Sequence, residues 1–218
     1  LFCYLEQIVK VEEKEYALLT PVDTPVCLFK INVEGEPELI DKIEQVINNA
    51  ELMADTKATS LTLSITGEHI KCLNTQAAIS LNYINGISNG SREKVINKND
   101  ILQVLNSSQS ISLPIDRDIL HTIPQEYSVD TLEEIKNPLG MTGRRLESKV
   151  HLITAAIAAM NNFVSCVEEL GLSVEGIVFQ PIASSLSTLK KDEMELGITL
   201  VDLGYTTTNI AVYHKGSI

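Results

Sequence analysis

Two periodicities organise this chain. Over residues 36–54, Leu39, Ile43, Val46, Ile47, Ala50, Met53 and Ala54 recur at three- and four-residue spacing, and Pro37 suits a first helical turn. That spacing predicts an amphipathic helix whose apolar stripe is core. Residues 60–66 (SLTLSIT) alternate as a strand does and stop at Gly67. Residues 74–83, 119–129 and 146–154 also read as strands. The second of these sets Ile119, His121, Ile123, Tyr127 and Val129 on one face, and the third opposes Leu146, Val150 and Leu152 to Lys149 and His151. Residues 155–170 carry the strongest helical stripe, through Ala156, Ala159, Met160, Phe163, Val164, Val167 and Leu170, with Gly171 placed to end it. A buried strand over 174–179 and a helix over 181–189, opened by Pro181, follow. Residues 198–213 (ITLVDLGYTTTNIAVY) then read as two strands around a tight polar turn.

Elsewhere the pattern is weaker. Residues 1–11 and 16–19 read as strands joined by a charged turn, Pro21 and Pro25 bracket a loop, and 26–33 is extended. Residues 85–99, rich in Asn, Ser and Gly, read as a loop. Residues 100–108 form a short helix with Ile101, Leu102, Val104 and Leu105 inward, Asn99 as N-cap and Pro114 beyond its end. Residues 132–143 read as a loop built on Pro138, Gly140 and Gly143, and 190–196 as a charged linker. Helix followed by strand, both with one buried face, predicts an α/β layer. The strands and helix between 71 and 155 predict a small α+β module.

Composition narrows the function. The chain has 218 residues, 44% hydrophobic and 21% charged, which suits a soluble globular chain of one large domain or two small ones. The net charge of −12 argues against nucleic-acid binding, which needs a basic face, and against direct attraction to anionic lipid. Cys3, Cys27, Cys72 and Cys166 form no metal-ligand spacing with one another or with His, and read as reduced thiols. The histidines are isolated, and none is assigned to catalysis. No apolar run approaches the roughly 18 residues of a membrane helix. The chain lacks an initial Met and ends just after a strand and a Lys-Gly turn, so it is expected to be a fragment incomplete at both ends.

Two places carry candidate chemistry. In the 198–213 hairpin a hydrophobic strand delivers Asp202 to its end, and Gly204 lets the backbone turn sharply. The hydroxyls of Thr206 and Thr207 and the N–H groups of such a turn can face a phosphate, and Asp202 can hold Mg²⁺ through water. An ordinary β-hairpin with a threonine-rich turn is the plain alternative. The second place is the excursion around Pro138, Gly140 and Gly143. There Met141 and the basic pair Arg144 and Arg145 stand out in an acidic chain, either as a contact surface or as a solvated turn.

The hairpin resembles the second phosphate-binding hairpin of the actin-like ATPases, usually D-[IL]-G-G-G-T-x-D-[IL]-A. Asp202, Leu203, Gly204, Thr207, Ile210 and Ala211 keep that pattern. Tyr205 and Thr206 stand where it has glycines, and Asn209 where it has Asp. The first phosphate loop of that superfamily, D-x-G-[ST], does not occur near residue 1. Residues 123–127 (IPQEY), 135–146 (IKNPLGMTGRRL) and 149–154 (KVHLIT) closely resemble subdomain 1C of the FtsA family of bacterial cell-division proteins. Residues 51–55 (ELMAD) and 66–70 (TGEHI) match that family just upstream. The segments keep the family's order, and the likeness runs from about residue 36 to 218.

The resemblance implies an α/β, actin-like (ribonuclease H-like) lobe with an inserted SHS2-type α+β subdomain. Residues 1–70 would be part of subdomain 1A, 71–155 subdomain 1C, 156–196 the remainder of 1A, and 197–218 the start of the second lobe, 2A. It further implies an actin homologue that assembles at the septal ring and links FtsZ filaments to the membrane and to later division proteins. Such a protein is at most a weak ATPase. ATP with Mg would be held at Asp202, Gly204, Thr206, Thr207 and Asn209, with Asp202 reaching the metal indirectly. Subdomain 1C would contact neighbouring copies and division proteins, here at Met141, Arg144 and Arg145. The adenine pocket, the FtsZ site and a membrane-binding C-terminal helix would lie beyond residue 218, and the protein would sit in the cytoplasm on the inner face of the membrane. Two alternatives stay open. One is a nucleotide-free or PilM-like adaptor of the same fold, suggested by Tyr205 and Thr206. The other is a superfamily phosphotransferase, which needs an acidic base that no Asp or Glu is placed to supply, and which lacks a block like 123–146.

Overall fold

The computed structural model describes residues 9–11, 15–17, 36–81, 94–203 and 208–218. The readings made over residues 1–8, the Pro21–Pro25 loop, 26–33, most of the 85–99 loop, and Gly204, Tyr205, Thr206 and Thr207 lie outside them. The elements, in order, are β1 (Val9–Val11), β2 (Glu15–Ala17), α1 (Glu36–Ala54), β3 (Ser60–Ile65), β4 (Ile70–Ser80), β5 (Lys94–Val95), α2 (Lys98–Gln109) and β6 (Arg117–Val129). Then come β7 (Leu132–Ile135), β8 (Thr142–Gly143), β9 (Arg145–Ala156), α3 (Ile157–Glu169), β10 (Ser173–Phe179), α4 (Gln180–Thr188), α5 (Lys191–Leu196), β11 (Ile198–Leu203) and β12 (Thr208–Tyr213). They divide into two compact units, one of Leu1–Ile70 with Ala155–Gly216, the other of Lys71–Thr154 with Ser217–Ile218.

In the first unit β3 and β10 pair in parallel, Ile65 opposite Phe179. The alternation of β3 buries Leu61, Leu63 and Ile65. Leu61 and Leu63 pack with Ile43, Val46 and Ile47 of α1 and with Cys166 and Val167 of α3. Each such fully buried aliphatic side chain contributes roughly 1.5–3 kcal/mol. The stripe of α1 is not buried to its end: Met53, expected in the core, is 57% exposed, and Ala54 is exposed as well. Glu51 instead fixes the exit from α1. Its carboxylate pairs with Lys57 and accepts the Ala58 N–H at 2.8 Å, and these bonds hold its pKa below the usual range. Gly171, at φ +79°, turns the chain out of α3 as its position predicts. The expected linker over 190–196 contains a six-residue helix, α5. Its first turn is closed by Glu193, which accepts the Lys190 N–H at 2.8 Å, a local capping bond that charge content alone conceals.

In the second unit a four-stranded sheet in the order β4-β9-β6-β7 carries α2. Its core joins Ile79, Leu81, Ile96, Val104, Tyr127, Val129 and Leu146. Three expectations change here. The N-cap of α2 is Asn97, not Asn99: Asn97 Oδ1 accepts the Asp100 N–H at 3.1 Å and Asp100 accepts the Asn97 N–H at 3.0 Å. Asp100 at N3 makes this reciprocal box possible, and Asn99 has no such partner. Leu102 is 57% exposed, since Ile101, Val104 and Leu105 are the apolar residues of α2 that pack against the core. The 132–143 loop holds two short strands: β7 returns along β6, Val129 opposite Leu132, and β8 pairs with β5. Strands this short show no alternation, and β6 turns into β7 at Asp130, whose φ is +54°.

A clasp ties the strands by which the chain enters and leaves this unit. Thr154 Oγ1 donates to Lys71 O at 3.1 Å, and Arg117 Nη2 donates to Thr154 O at 2.9 Å and to its Oγ1 at 3.0 Å. Ser217 and Ile218 join the same unit through Gln125, whose Nε2 donates to Ile218 O at 2.8 Å and whose carbonyl accepts the Ser217 hydroxyl at 3.0 Å.

Candidate functional site

Strands β11 and β12 form an antiparallel hairpin with Asp202 opposite Asn209 and Leu203 opposite Thr208. Alternation puts Ile198, Leu200, Asp202, Asn209, Ala211 and Tyr213 on one face, half-buried or buried, against α4. Leu203 and Ile210, on the other face, are 79% and 64% exposed. Asp202 and Asn209 are thus the last inward-facing pair before the turn, which is where a strand pair can present polar groups to a ligand.

Two further residues reach this pair. Because β3 and β10 run in parallel and end with Ile65 opposite Phe179, Thr66 and Gln180 follow their ends side by side. Gln180 Nε2 donates to Asp202 Oδ2 at 2.6 Å, and Thr66 Oγ1 donates to Asn209 Oδ1 at 2.8 Å. The carboxyl ends of parallel strands in α/β sheets are the usual ligand edge. Asn209 Nδ2 is buried and has no hydrogen-bond partner among the described residues, and the same holds for Ser64 Oγ. A buried polar atom left unmet costs about 1–3 kcal/mol, so these two mark where hydrogen-bonding capacity is unused at this end of the strands. A carboxylate, an amide donor and a hydroxyl-bearing strand end fit a Mg²⁺-bound phosphate. Sequence patterning brought out Asp202 and Asn209. It did not bring out Thr66 and Gln180; their only signal is a polar residue at a strand end just before Gly67 or Pro181.

The second candidate region is held by its own backbone. Asp130 accepts the N–H of Arg144 at 3.0 Å and of Arg145 at 2.9 Å, and its own N–H donates to Arg145 O at 3.0 Å. Leu81 N–H donates to Arg144 O at 2.7 Å, Ile96 N–H to Met141 O at 2.8 Å, and Gly140 N–H to Ile96 O at 2.9 Å. Gly143 sits so close to Val129 that a Cβ there would overlap its Cγ1. Arg144 and Arg145 are exposed, with Arg145 Nε 2.9 Å from Glu147. Met141 is half-buried against the core of this unit. The arrangement is a rigid, partly basic excursion. The described residues contain no group of three or more His, Cys, Asp or Glu placed to hold a metal by themselves. No described helix is long and apolar enough to cross a membrane.

Fold and hairpin together define an actin-like α/β chain carrying an inserted SHS2 subdomain. Residues 67–154 match the family described as the SHS2 domain inserted in FtsA. The fold is shared with a chain of the PilM–PilN type IV pilus biogenesis complex, at a TM-score of 0.57 and 12% identity over 91% of this chain and 54% of that one. The cell division protein FtsA of Pseudomonas aeruginosa is 37% identical over 86% of this chain, and that of Escherichia coli K12 is 38% identical over 87%. FtsA of Neisseria meningitidis is 38% identical over 82%. Residues 67–154 thus carry the SHS2 domain of FtsA, and over most of its length the chain is similar to FtsA cell-division proteins. It covers about two fifths of the length of these relatives, 42%, 43% and 41% respectively.

Proposed function

We propose that this chain is the part of an FtsA-type division protein that carries the SHS2 contact module and one side of a nucleotide site. The unit of Lys71–Thr154 corresponds to subdomain 1C, the unit of Leu1–Ile70 with Ala155–Gly216 to 1A, and within that unit the β11–β12 hairpin to the start of 2A. The observation that carries the nucleotide reading is the cross-strand pair Asp202 and Asn209, each hydrogen-bonded to the end of a parallel strand through Gln180 and Thr66. Asp202, Gly204, Thr206, Thr207 and Asn209 would hold Mg·ATP, Asp202 reaching the metal through water, and Gln180 holds the Asp202 carboxylate in place. When bound, Mg²⁺ would offset the charge of the phosphates beside Asp202. Met141, Arg144 and Arg145 form the contact surface toward like copies and toward division proteins. FtsZ docking and membrane attachment at the cytoplasmic face rest on segments beyond this chain.

The test is Mg·ATP titration of the full-length protein by calorimetry. Micromolar binding lost in Asp202→Ala supports the reading; a folded protein that binds nothing at millimolar nucleotide overturns it. The second reading, a nucleotide-free adaptor, is favoured by Tyr205 and Thr206 in the glycine positions of the family pattern. It predicts that null result together with retained binding of division partners.

A further inference from the structure

The four-stranded sheet has two unlike edges. One is β7, guarded by its length of four residues, by Glu133 and Glu134, and by the φ of +58° at Glu134. The other, among the described residues, is β4, eleven residues from Ile70 to Ser80. It has no proline, no residue at positive φ and one charged side chain, Lys71, near its start. A long edge with so little charge is open to a further strand.

The register shows which backbone groups face outward. Thr154 Oγ1 lies 3.1 Å from Lys71 O, His151 Nδ1 2.6 Å from Asn74 Oδ1, and the Leu81 N–H donates to Arg144 O at 2.7 Å. Equal steps along both strands make this an antiparallel ladder, one residue against one. The Leu81 N–H points to the β9 side, so alternation turns the N–H and C=O groups of Cys72, Asn74, Gln76, Ala78 and Ser80 to the open edge. The side chains of the same residues are exposed.

Paired antiparallel with itself about Gln76, this edge is self-complementary. Gln76 meets Gln76, Asn74 meets Ala78 and Cys72 meets Ser80, and the facing residues exchange about ten backbone hydrogen bonds in all. On the other face Leu73 meets Ile79 and Thr75 meets Ala77. Like charges do not oppose one another, because Lys71 falls opposite Leu81, and in a chain of net charge −12 this edge carries no acidic residue. A two-fold contact uses one patch twice, so no second, matching surface is needed. We infer that β4 is a self-association edge that pairs with β4 of a second copy and joins two four-stranded sheets into one. It is additional to the loop of Met141, Arg144 and Arg145.

The experiment uses the full-length protein. Gln76→Cys in a Cys72→Ser background is mildly oxidised and run on a non-reducing gel. Facing residues of a hydrogen-bonded pair lie about 5.5 Å apart at Cα, within disulfide reach, so a covalent dimer is expected above the Cys72→Ser parent. Asn74→Cys in the same background is expected to add none, since its two copies stand about 14 Å apart in this register. Ala78→Pro removes an outward N–H, which an edge strand tolerates. It is expected to raise the concentration needed for association about tenfold or more in sedimentation velocity, with a circular dichroism melt to confirm folding. A Gln76→Cys dimer no more abundant than that of the parent or of Asn74→Cys overturns the inference. So does folded Ala78→Pro that associates as wild type does. A wild type that stays monomeric at every concentration overturns it too, even where an added extended peptide of another protein takes the same edge.

Discussion

Asp130 and Gly143 show how single residues shape the contact loop. Asp130 adopts φ +54°, a conformation few side chains tolerate, and its carboxylate gathers the N–H groups of Arg144 and Arg145. Gly143 is required for a different reason: its α-carbon lies against Val129, leaving no room for a methyl group. Gly143→Ala should therefore force Val129 or the strand to move and cost about 1–3 kcal/mol, read as a lowered midpoint in thermal unfolding. Asp130→Ala should leave two loop N–H groups without their acceptor, at about 1 kcal/mol because water replaces part of it. If the loop is the partner surface, this variant should also weaken partner binding while Arg144 and Arg145 remain in the sequence.

At the scale of elements, α2 depends on its reciprocal cap. Asp100 is 5% exposed, and burial alone would raise its pKa. The Lys94 ammonium at 2.5 Å and the Asn97 N–H outweigh that and hold it below the usual carboxylate range. Asn97→Ala should cost about 1 kcal/mol, measured by urea titration. Strands β6 and β9 carry His121 and His151, both with pKa lowered by burial. A histidine whose folded pKa is depressed takes up its proton first in the unfolded chain. Its stabilising contribution is complete above about pH 6.5 and is lost as pH falls through the folded value. Unfolding of this unit should thus become easier as pH falls below about 6.5, and a His121→Gln, His151→Gln double variant should flatten that slope. These elements also show what sequence could reveal. The stripe of α1 and the alternation of β3, β6 and β9 were legible because each is long enough to show its period against one core. Strands β7 and β8 were not, since a two- to four-residue strand has no period. At the candidate site, Asp202 and Asn209 were legible from a local motif. Thr66 and Gln180 enter only through the parallel register of β3 and β10, which no local pattern encodes.

For the whole molecule, the separate cores matter most. One core is built on Ile43, Leu61 and Val167, the other on Val104, Val129 and Leu146, and they share no residue. A fragment of residues 71–154 should therefore unfold cooperatively by itself, as followed by circular dichroism in urea. Leu146→Ala should destabilise it by about 2–5 kcal/mol, and Val167→Ala in the full protein should leave its transition unmoved.

The clasp of Arg117, Thr154 and Lys71 has a consequence for gene architecture. The first and last residues of the inserted stretch lie within one hydrogen bond of each other, 3.1 Å from Thr154 Oγ1 to Lys71 O. An insertion whose two ends meet asks almost nothing of the host reading frame, because joining neighbouring points costs little chain entropy. The segment is a cassette: a short linker between residues 70 and 155 closes the gap it leaves, and the same coding block can be spliced into another loop whose ends are equally close.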